Sequence, residues 1–273
     1  MIVSILLAAQ ESTCEGDTIE DRFEFALEMG FDGLEVAGVG GGVFESRRAE
    51  LAAAVRSGVR ISSAVAIVDH FMGDLDPDHR RAAIDEQKTL LTVLGDLGDL
   101  GDLGELCFVA PHTFGVFSRA LPPFTPPRAF EESRALLLEA LVEVAEHAER
   151  VGVVLALEPL NRFEDFVVNT LADASWYVDE VASPGLAITA DTWHMNIEEA
   201  SIGNSIRAAG SRIKHVQLGD SNRKQPGAGH IDFDEVLDAL VDIHFEGWLA
   251  MECGLTGPAR DVLPAVSTLL RRS

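Results

Sequence analysis

Residues 153–164 read Val-Val-Leu-Ala-Leu-Glu-Pro-Leu-Asn-Arg-Phe-Glu, and residues 186–199 read Leu-Ala-Ile-Thr-Ala-Asp-Thr-Trp-His-Met-Asn-Ile-Glu-Glu. Each stretch opens as a short apolar run and stops on a carboxylate, Glu158 or Asp191, before turning polar. A strand buried on both faces of a parallel sheet reads as such a continuous apolar run. The carboxylate that ends it therefore stands at the strand's C-terminal tip, where barrel-type α/β folds place their chemistry. Two acidic tips brought together would make a site for a divalent metal.

The same punctuation extends outward in both directions. Further apolar runs fall at 2–9, 34–37, 59–68, 106–110, 213–218 and 248–251, which makes eight with the opening pair. Helical periodicity is expected over 22–29, 46–57, 78–94, 130–150, 171–181, 233–243 and 258–271. Strand and helix in alternation imply a parallel sheet with right-handed crossovers. Eight repeats in 273 residues favour an α/β fold of the (β/α)8 TIM-barrel type, as a single domain over 1–273. No Gly-x-Gly-x-x-Gly follows the first run, which weighs against a dinucleotide-binding sheet. Residues 95–106, GDLGDLGDLGEL, fit no EF-hand spacing and are expected as a surface extension of the preceding helix. A Pro-rich loop is expected over 121–127.

Charge narrows the function. The formal net charge of -24 repels phosphate backbones and argues against nucleic-acid binding. Three scattered cysteines (Cys14, Cys107, Cys253) make neither a disulfide framework nor a CxxC metal site, and fit a reduced cytoplasm. The apolar N-terminus lacks a basic region and reads as a strand rather than a signal peptide. No apolar run approaches the roughly 18 residues of a membrane span.

Polar residues cluster where the runs end: Glu35, Asp69-His70, His112, Glu158, Asp191, Gln217 and Glu252. The last four belong to consecutive strands and converge on one side of a barrel mouth. Three carboxylates and an amide oxygen are hard donors that suit Mn2+ or Mg2+, with Co2+ or Zn2+ accommodated. Such an ion would polarise an α-hydroxy carbonyl compound and stabilise its enediolate. Glu158 and Glu252 would then act as acid and base on opposite faces of the reacting carbon. Return of a proton on the opposite face gives epimerisation, and return to the neighbouring carbon gives aldose-ketose isomerisation. His70 and His112, at strand tips, are candidates to line the substrate pocket. His215 is expected to face away from Gln217 as a packed or supporting histidine, and Cys253 to point away from Glu252.

The segments Glu158-Pro-Leu-Asn-Arg-Phe-Glu164, Asp191-Thr-Trp-His194-Met-Asn-Ile-Glu-Glu, Ser221-Asn-Arg223 with Pro226-Gly-Ala-Gly-His230, and Glu252 resemble the xylose isomerase-like TIM barrels. Within that group they are most similar to ketose 3-epimerases of the tagatose and psicose type. The resemblance implies a metal-dependent sugar isomerase or epimerase with Glu158, Asp191 and Glu252 as metal ligands. It also implies that His194 and Arg223 hold substrate oxygens, that Glu164 orients His194, and that the chain forms a dimer or tetramer. One position departs from the pattern. The epimerases carry histidine in the seventh-strand ligand slot, whereas this chain has Gln217, as hydroxypyruvate isomerase-like members do. Hydroxypyruvate isomerase and inosose isomerase or dehydratase activity are therefore the alternatives. An apurinic endonuclease of the same fold is disfavoured by the charge and by only 8 histidines, and a non-catalytic sugar-binding barrel is the remaining reading.

Overall fold

The computed structural model describes residues 5–114 and 125–271. Eight strands, β1 (Leu6–Gln10), β2 (Gly33–Val39), β3 (Ile61–Ile67), β4 (Leu106–Pro111), β5 (Val153–Glu158), β6 (Leu186–Asp191), β7 (Ile213–Leu218) and β8 (Trp248–Met251), follow one another around a closed parallel barrel. Closure is made by β1 on β8, with Leu6 opposite Trp248 and Ala9 opposite Met251. Every residue of β4, β5 and β6 is buried. Their inner faces fill the barrel and their outer faces lie under helices, which is why these strands carry no polar alternation. The first strand begins at Leu6; residues 2–4 of the expected run, and Leu121 to Phe124 of the expected Pro-rich loop, lie outside the described residues.

Ten helices surround the barrel among the described residues: α1 (Ile19–Glu28), α2 (Val43–Ser46), α3 (Arg48–Arg56), α4 (Pro77–Gly98), α5 (Phe130–Arg150), α6 (Leu171–Val181), α7 (Thr192–Glu198), α8 (Ile202–Ala209), α9 (Phe233–Asp242) and α10 (Ala259–Leu270). Local chemistry sets their starts. Thr18 with Asp21 and Thr170 with Asp173 form capping boxes, and Asp76 caps α4 with Pro77 in the first turn. The helices α7 and α8 occupy the stretch between β6 and β7, where the sequence reading places a site motif and no helix.

The tandem 95–106 repeat is not only a surface extension. Its first unit is the last turn of α4, and Leu97 and Leu103 are buried in the main core. Gly95 lets α4 close on the end of α5, since a Cβ there would stand 2.4 Å from the Val151 carbonyl oxygen. The leucines pack inward while the repeat's aspartates stay at the surface, so periodicity three here serves packing.

A carboxylate clamps the first barrel seam. Glu11, just past the tip of β1, is buried and accepts from Arg47 at 2.7 and 2.8 Å and from the Ala37 backbone N–H at 2.8 Å. Burial by itself would raise this carboxyl, but Arg47 and the Ala37 N–H hold it below the ordinary range. The clamp joins β1, β2 and the start of α3. Truncation as Glu11→Ala strands a half-buried guanidinium and a backbone donor, so it should cost roughly 2–4 kcal/mol in urea-unfolding stability. A loss within about 0.5 kcal/mol would mean that the seam does not depend on it.

Candidate active site and metal centre

The acidic tips converge as the strand order requires. Glu158 ends β5, Asp191 ends β6, Gln217 lies one residue before the end of β7, and Glu252 directly follows β8. Asp191 stands in register with Gln217, and the Glu252 N–H donates to Leu218 O at 3.1 Å, which locks the neighbouring tips together. Donor atoms of Glu158, Asp191 and His194 lie within 4.8 Å of one another. Glu252 is outside that tightest group, but its charge acts on Glu158 and its Oε2 is buried without a hydrogen-bond partner.

Asp191 has two tasks. As the cap of α7, its Oδ1 accepts from the N–H groups of Trp193 (2.7 Å) and His194 (3.3 Å). Its Oδ2 faces His194 Nε2 at 3.9 Å, on the side of the other acids. The same turn thus fixes the carboxylate and delivers the histidine. The His194 tautomer follows from its partners. Its Nδ1 accepts the Asn161 backbone N–H at 2.9 Å, so the proton resides on Nε2, which points toward Glu158 Oε1 at 3.6 Å. Burial, then the positive Arg223, depress its pKa to about 3, so the ring is neutral and a hydrogen-bond donor.

The expectation that Glu164 orients His194 needs refinement. Glu164 Oε2 lies 3.7 Å from His194 Nδ1, beyond hydrogen-bond reach, whereas Asn161 contacts both groups. Asn161 is the residue that sequence reasoning missed, although it sits inside the quoted Glu158–Glu164 segment. Arg223 is brought to the cleft with its guanidinium 3.9 Å over the Trp193 ring and 3.5 Å from Glu164. Its backbone φ of 55° is unusual for a residue with a side chain, and the turn closed by Asp220 and Lys224 holds it there. Buried Asp220 organises that loop by accepting from the N–H groups of Ser221, Gly227, Gly229 and Ile231.

One side-chain direction is corrected. His215 and Gln217 are two residues apart, and strand side chains repeat every two residues, so both point the same way. Both reach Glu35 in the barrel interior: His215 Nε2 at 2.9 Å from Oε2, and Gln217 Nε2 at 3.1 Å from Oε1. Gln10 and Ser63 also donate to Glu35. Burial pushes the Glu35 carboxyl up, but these donors, His215 foremost, bring it below its usual value. A carboxylate only accepts, so Gln217 must turn its NH2 toward Glu35 and its Oε1 away, and that oxygen is buried with no partner.

Of the upper acids, only Asp191 has backbone donors, Trp193 and His194. Burial, then the charges of Glu252 and Asp191, push Glu158 well above the ordinary carboxylate range. Glu252 is raised likewise by burial and by Asp191 and Glu35, and Asp191 is raised to about 6 by burial. Orphaned oxygens on Gln217 and Glu252 beside two raised carboxyls fit a hard divalent ion. Glu158, Asp191, Gln217 and Glu252 could supply the oxygens.

A cleft of about 380 Å3 opens over these residues. Glu158, Glu252, His194 and Arg223 line one side, and Val65, Ile67, Val68, Phe71 and Phe114 line the other. His112 and His70 are not among the lining residues. His112 is fully buried with Nδ1 on Asp165 at 2.9 Å, and the Gly73 backbone packs against its ring. His70 stacks on His79 at 4.0 Å between ring centres. A larger cavity, about 460 Å3, lies at the opposite end, around Leu6, Arg60, Lys214 and Trp248 at the strand starts. It contains none of the convergent acids, and in such barrels that end serves stability rather than chemistry.

Comparison with known proteins agrees with this geometry. Residues 23–271 match the family described as "Xylose isomerase-like TIM barrel". The chain is 32% identical to 3-dehydro-D-guloside 4-epimerase of Escherichia coli strain K12 over 237 residues, 86% of this chain and 87% of that protein. It is 45% identical to D-psicose 3-epimerase of Ruminiclostridium cellulolyticum over 115 residues, 42% of this chain but only 39% of that enzyme. The crystal structure of 3-keto-D-glucoside 4-epimerase from E. coli superposes with a TM-score of 0.88 at 30% identity, covering 98% of this chain and 99% of that one. D-psicose 3-epimerase with D-tagatose from Clostridium cellulolyticum H10 superposes with a TM-score of 0.78 at 27% identity, covering 98% and 90%. The chain belongs to the xylose isomerase-like TIM barrel family.

Proposed function

We propose that the protein is a divalent-metal-dependent sugar epimerase that inverts a carbon next to a ketone, with Glu158 and Glu252 as the two proton-transfer groups. The observation that carries this reading is the pair of raised glutamates on one cleft, Glu158 buried and Glu252 partly buried, flanked by Asp191 and the free Gln217 oxygen. Two carboxyl groups facing one cleft are the group type that can remove and return a proton beside a carbonyl. The relative matched along nearly its whole length is named for 4-epimerisation of a 3-dehydro-guloside, and those matched along shorter stretches for 3-epimerisation of ketoses. Both reactions are the exchange of one proton beside a carbonyl. The apolar wall of Val65, Ile67, Val68, Phe71 and Phe114 favours a keto-sugar that carries a further substituent, such as a keto-glycoside.

A divalent ion held by Glu158, Asp191, Gln217 and Glu252 would supply Lewis-acid charge to the carbonyl and hydroxyl oxygens of the substrate. Neutral His194 presents its Nε2–H to a substrate oxygen, and Arg223 offers a fixed cation for another. One glutamate takes the proton from carbon, and the other, across the substrate, returns one to the opposite face. Glu158 would then be a base for one epimer and Glu252 for the other.

Two single substitutions test the division of labour. Glu158→Gln and Glu252→Gln should each lower epimerisation by about 10^2–10^4-fold. In D2O each variant should still exchange the reacting proton of one epimer, and the two should spare opposite epimers. Assays would use metal-loaded protein with ketohexoses and 3-keto-hexosides, followed by NMR. No deuterium uptake by the wild type across that panel, with metal confirmed bound, would sink the proposal. Conversion of hydroxypyruvate in its place would shift the reading toward the isomerase that Gln217 suggests.

Metal removal should expose the unbalanced acids. A buried carboxyl with a raised pKa holds its proton in the folded chain longer than in the unfolded one, so its contribution to stability falls as pH rises. His194, depressed to about 3, acts in the opposite sense, but only below its unfolded value of 6.5. The metal-free protein should therefore lose Tm as pH rises above 6.5, where His194 no longer opposes the two raised glutamates, and Mn2+ should flatten that slope. Parallel slopes with and without metal would contradict this account of the acid cluster.

A further inference from the structure

The loop between β3 and α4 carries a second group of metal-type donors that shares no residue with the acid cluster. His70, Asp74 and His79 place one donor atom each within 4.8 Å of one another. The two imidazole rings stack, with centroids 4.0 Å apart and planes inclined by 16°, so one ring must turn out of the stack before both direct an in-plane lone pair at one ion. The Asp74 carboxylate is already oriented. Its Oδ1 accepts the Asp76 backbone N–H at 3.1 Å, and its Oδ2 faces His79 Nδ1 at 3.4 Å. The backbone around it is braced as well: Arg128 donates to the carbonyl oxygens of Gly73 and Asp74, and Arg80 to those of Asp74 and Leu75.

The 3.4 Å separation is long for a charge-assisted hydrogen bond, which favours about 2.7–2.9 Å. It matches the edge of a tetrahedral site, because donors about 2.0–2.1 Å from one ion stand roughly 3.4 Å apart. Two imidazoles and one carboxylate form a borderline donor set that prefers Zn2+ or Co2+ over Mg2+. Asp74 is nearly buried while His79 is half exposed, so an ion has a path in and room for a water as its remaining ligand. Phe71, on the cleft wall, lies between the first two donors in sequence.

We propose that His70, Asp74 and His79 form a second site for a Zn2+-type ion, which ties the tip of β3 to the first turn of α4 and fixes Phe71 on the cleft wall. The site stands independently of the proposed reaction. Equilibrium dialysis of the metal-stripped full-length protein against Zn2+ tests it, with Co2+ absorption as a second readout. The wild type should take up two equivalents per chain, and Asp191→Asn should retain at least the one held by the histidines. Adding His79→Ala to either background should remove one equivalent or weaken it by roughly tenfold or more. His70→Ala should do the same, and the imidazole-type Co2+ band should fall with each. The site is ruled out if His79→Ala leaves the stoichiometry and affinity of every equivalent unchanged, or if Asp191→Asn binds no Zn2+.

Discussion

Four carboxyl groups, the buried Glu35, Glu158 and Asp191 and the partly buried Glu252, crowd one barrel, and their mutual repulsion is the constraint to which the rest of the site responds. Two unit charges about 4 Å apart at an effective dielectric of 20 repel by about 4 kcal/mol. A domain is stable by only about 5–15 kcal/mol, so several such repulsions cannot coexist with a folded chain. The acids must be paired, protonated or bridged by a cation. Glu35 is paired, receiving hydrogen bonds from Gln10, Ser63, His215 and Gln217. Asp191 receives the Trp193 and His194 N–H groups, whereas Glu158 and Glu252 have only the positive Arg223 set against burial and mutual repulsion, and all three carboxyls stay above their ordinary range.

Glu35 thereby links the barrel interior to the site above it. By fixing the NH2 of Gln217, it leaves the amide oxygen free, and a glutamine becomes an oxygen donor of set direction. A free amide could turn either way; this one cannot without setting its oxygen against a carboxylate oxygen. The departure at Gln217 is thus compensated from within the barrel by a strand-two residue. His215, on the same face of β7, is its companion at Glu35 rather than a residue packed away from it.

The barrel was legible because parallel strands leave a simple record. The ranges of β7 and β8 agree with the expected runs end to end, as do those of α5 and α6, where long amphipathic segments are bounded by clear signals. The acidic tips were legible because a carboxylate ending an apolar run is conspicuous. Helix α7 was not, since Asp191 as a cap and Asp191 as a ligand leave the same letters, and the structure assigns one oxygen to each task. Asn161, Asp220 and Glu11 were hidden for another reason. Their partners lie 33, up to 11 and 36 residues away, and nothing local marks an acid or amide that will meet backbone donors only after the chain has folded. His112 directly follows β4 as expected, while His70 lies in the loop three residues past the end of β3, and position along the chain does not set side-chain direction. Asp165 draws His112 beneath Gly73, and His79 draws His70 outward.

These buried acids also divide the mouth into two unlike halves. On the β5–β8 side, Asp220 gathers four backbone N–H groups, and Asp165 gathers those of Phe166, Val167 and Val168. Loops tied down in this way lose little further freedom when substrate arrives, so Arg223 and His194 are held in position beforehand. The β3–β4 side presents Ile67 and Phe114, each more than half exposed, to the cleft. Apolar contact is non-directional and tolerates variation in what it covers. The rigid polar half is therefore suited to the proton exchange common to relatives with different substrates, and the apolar half to whatever distinguishes one sugar from another.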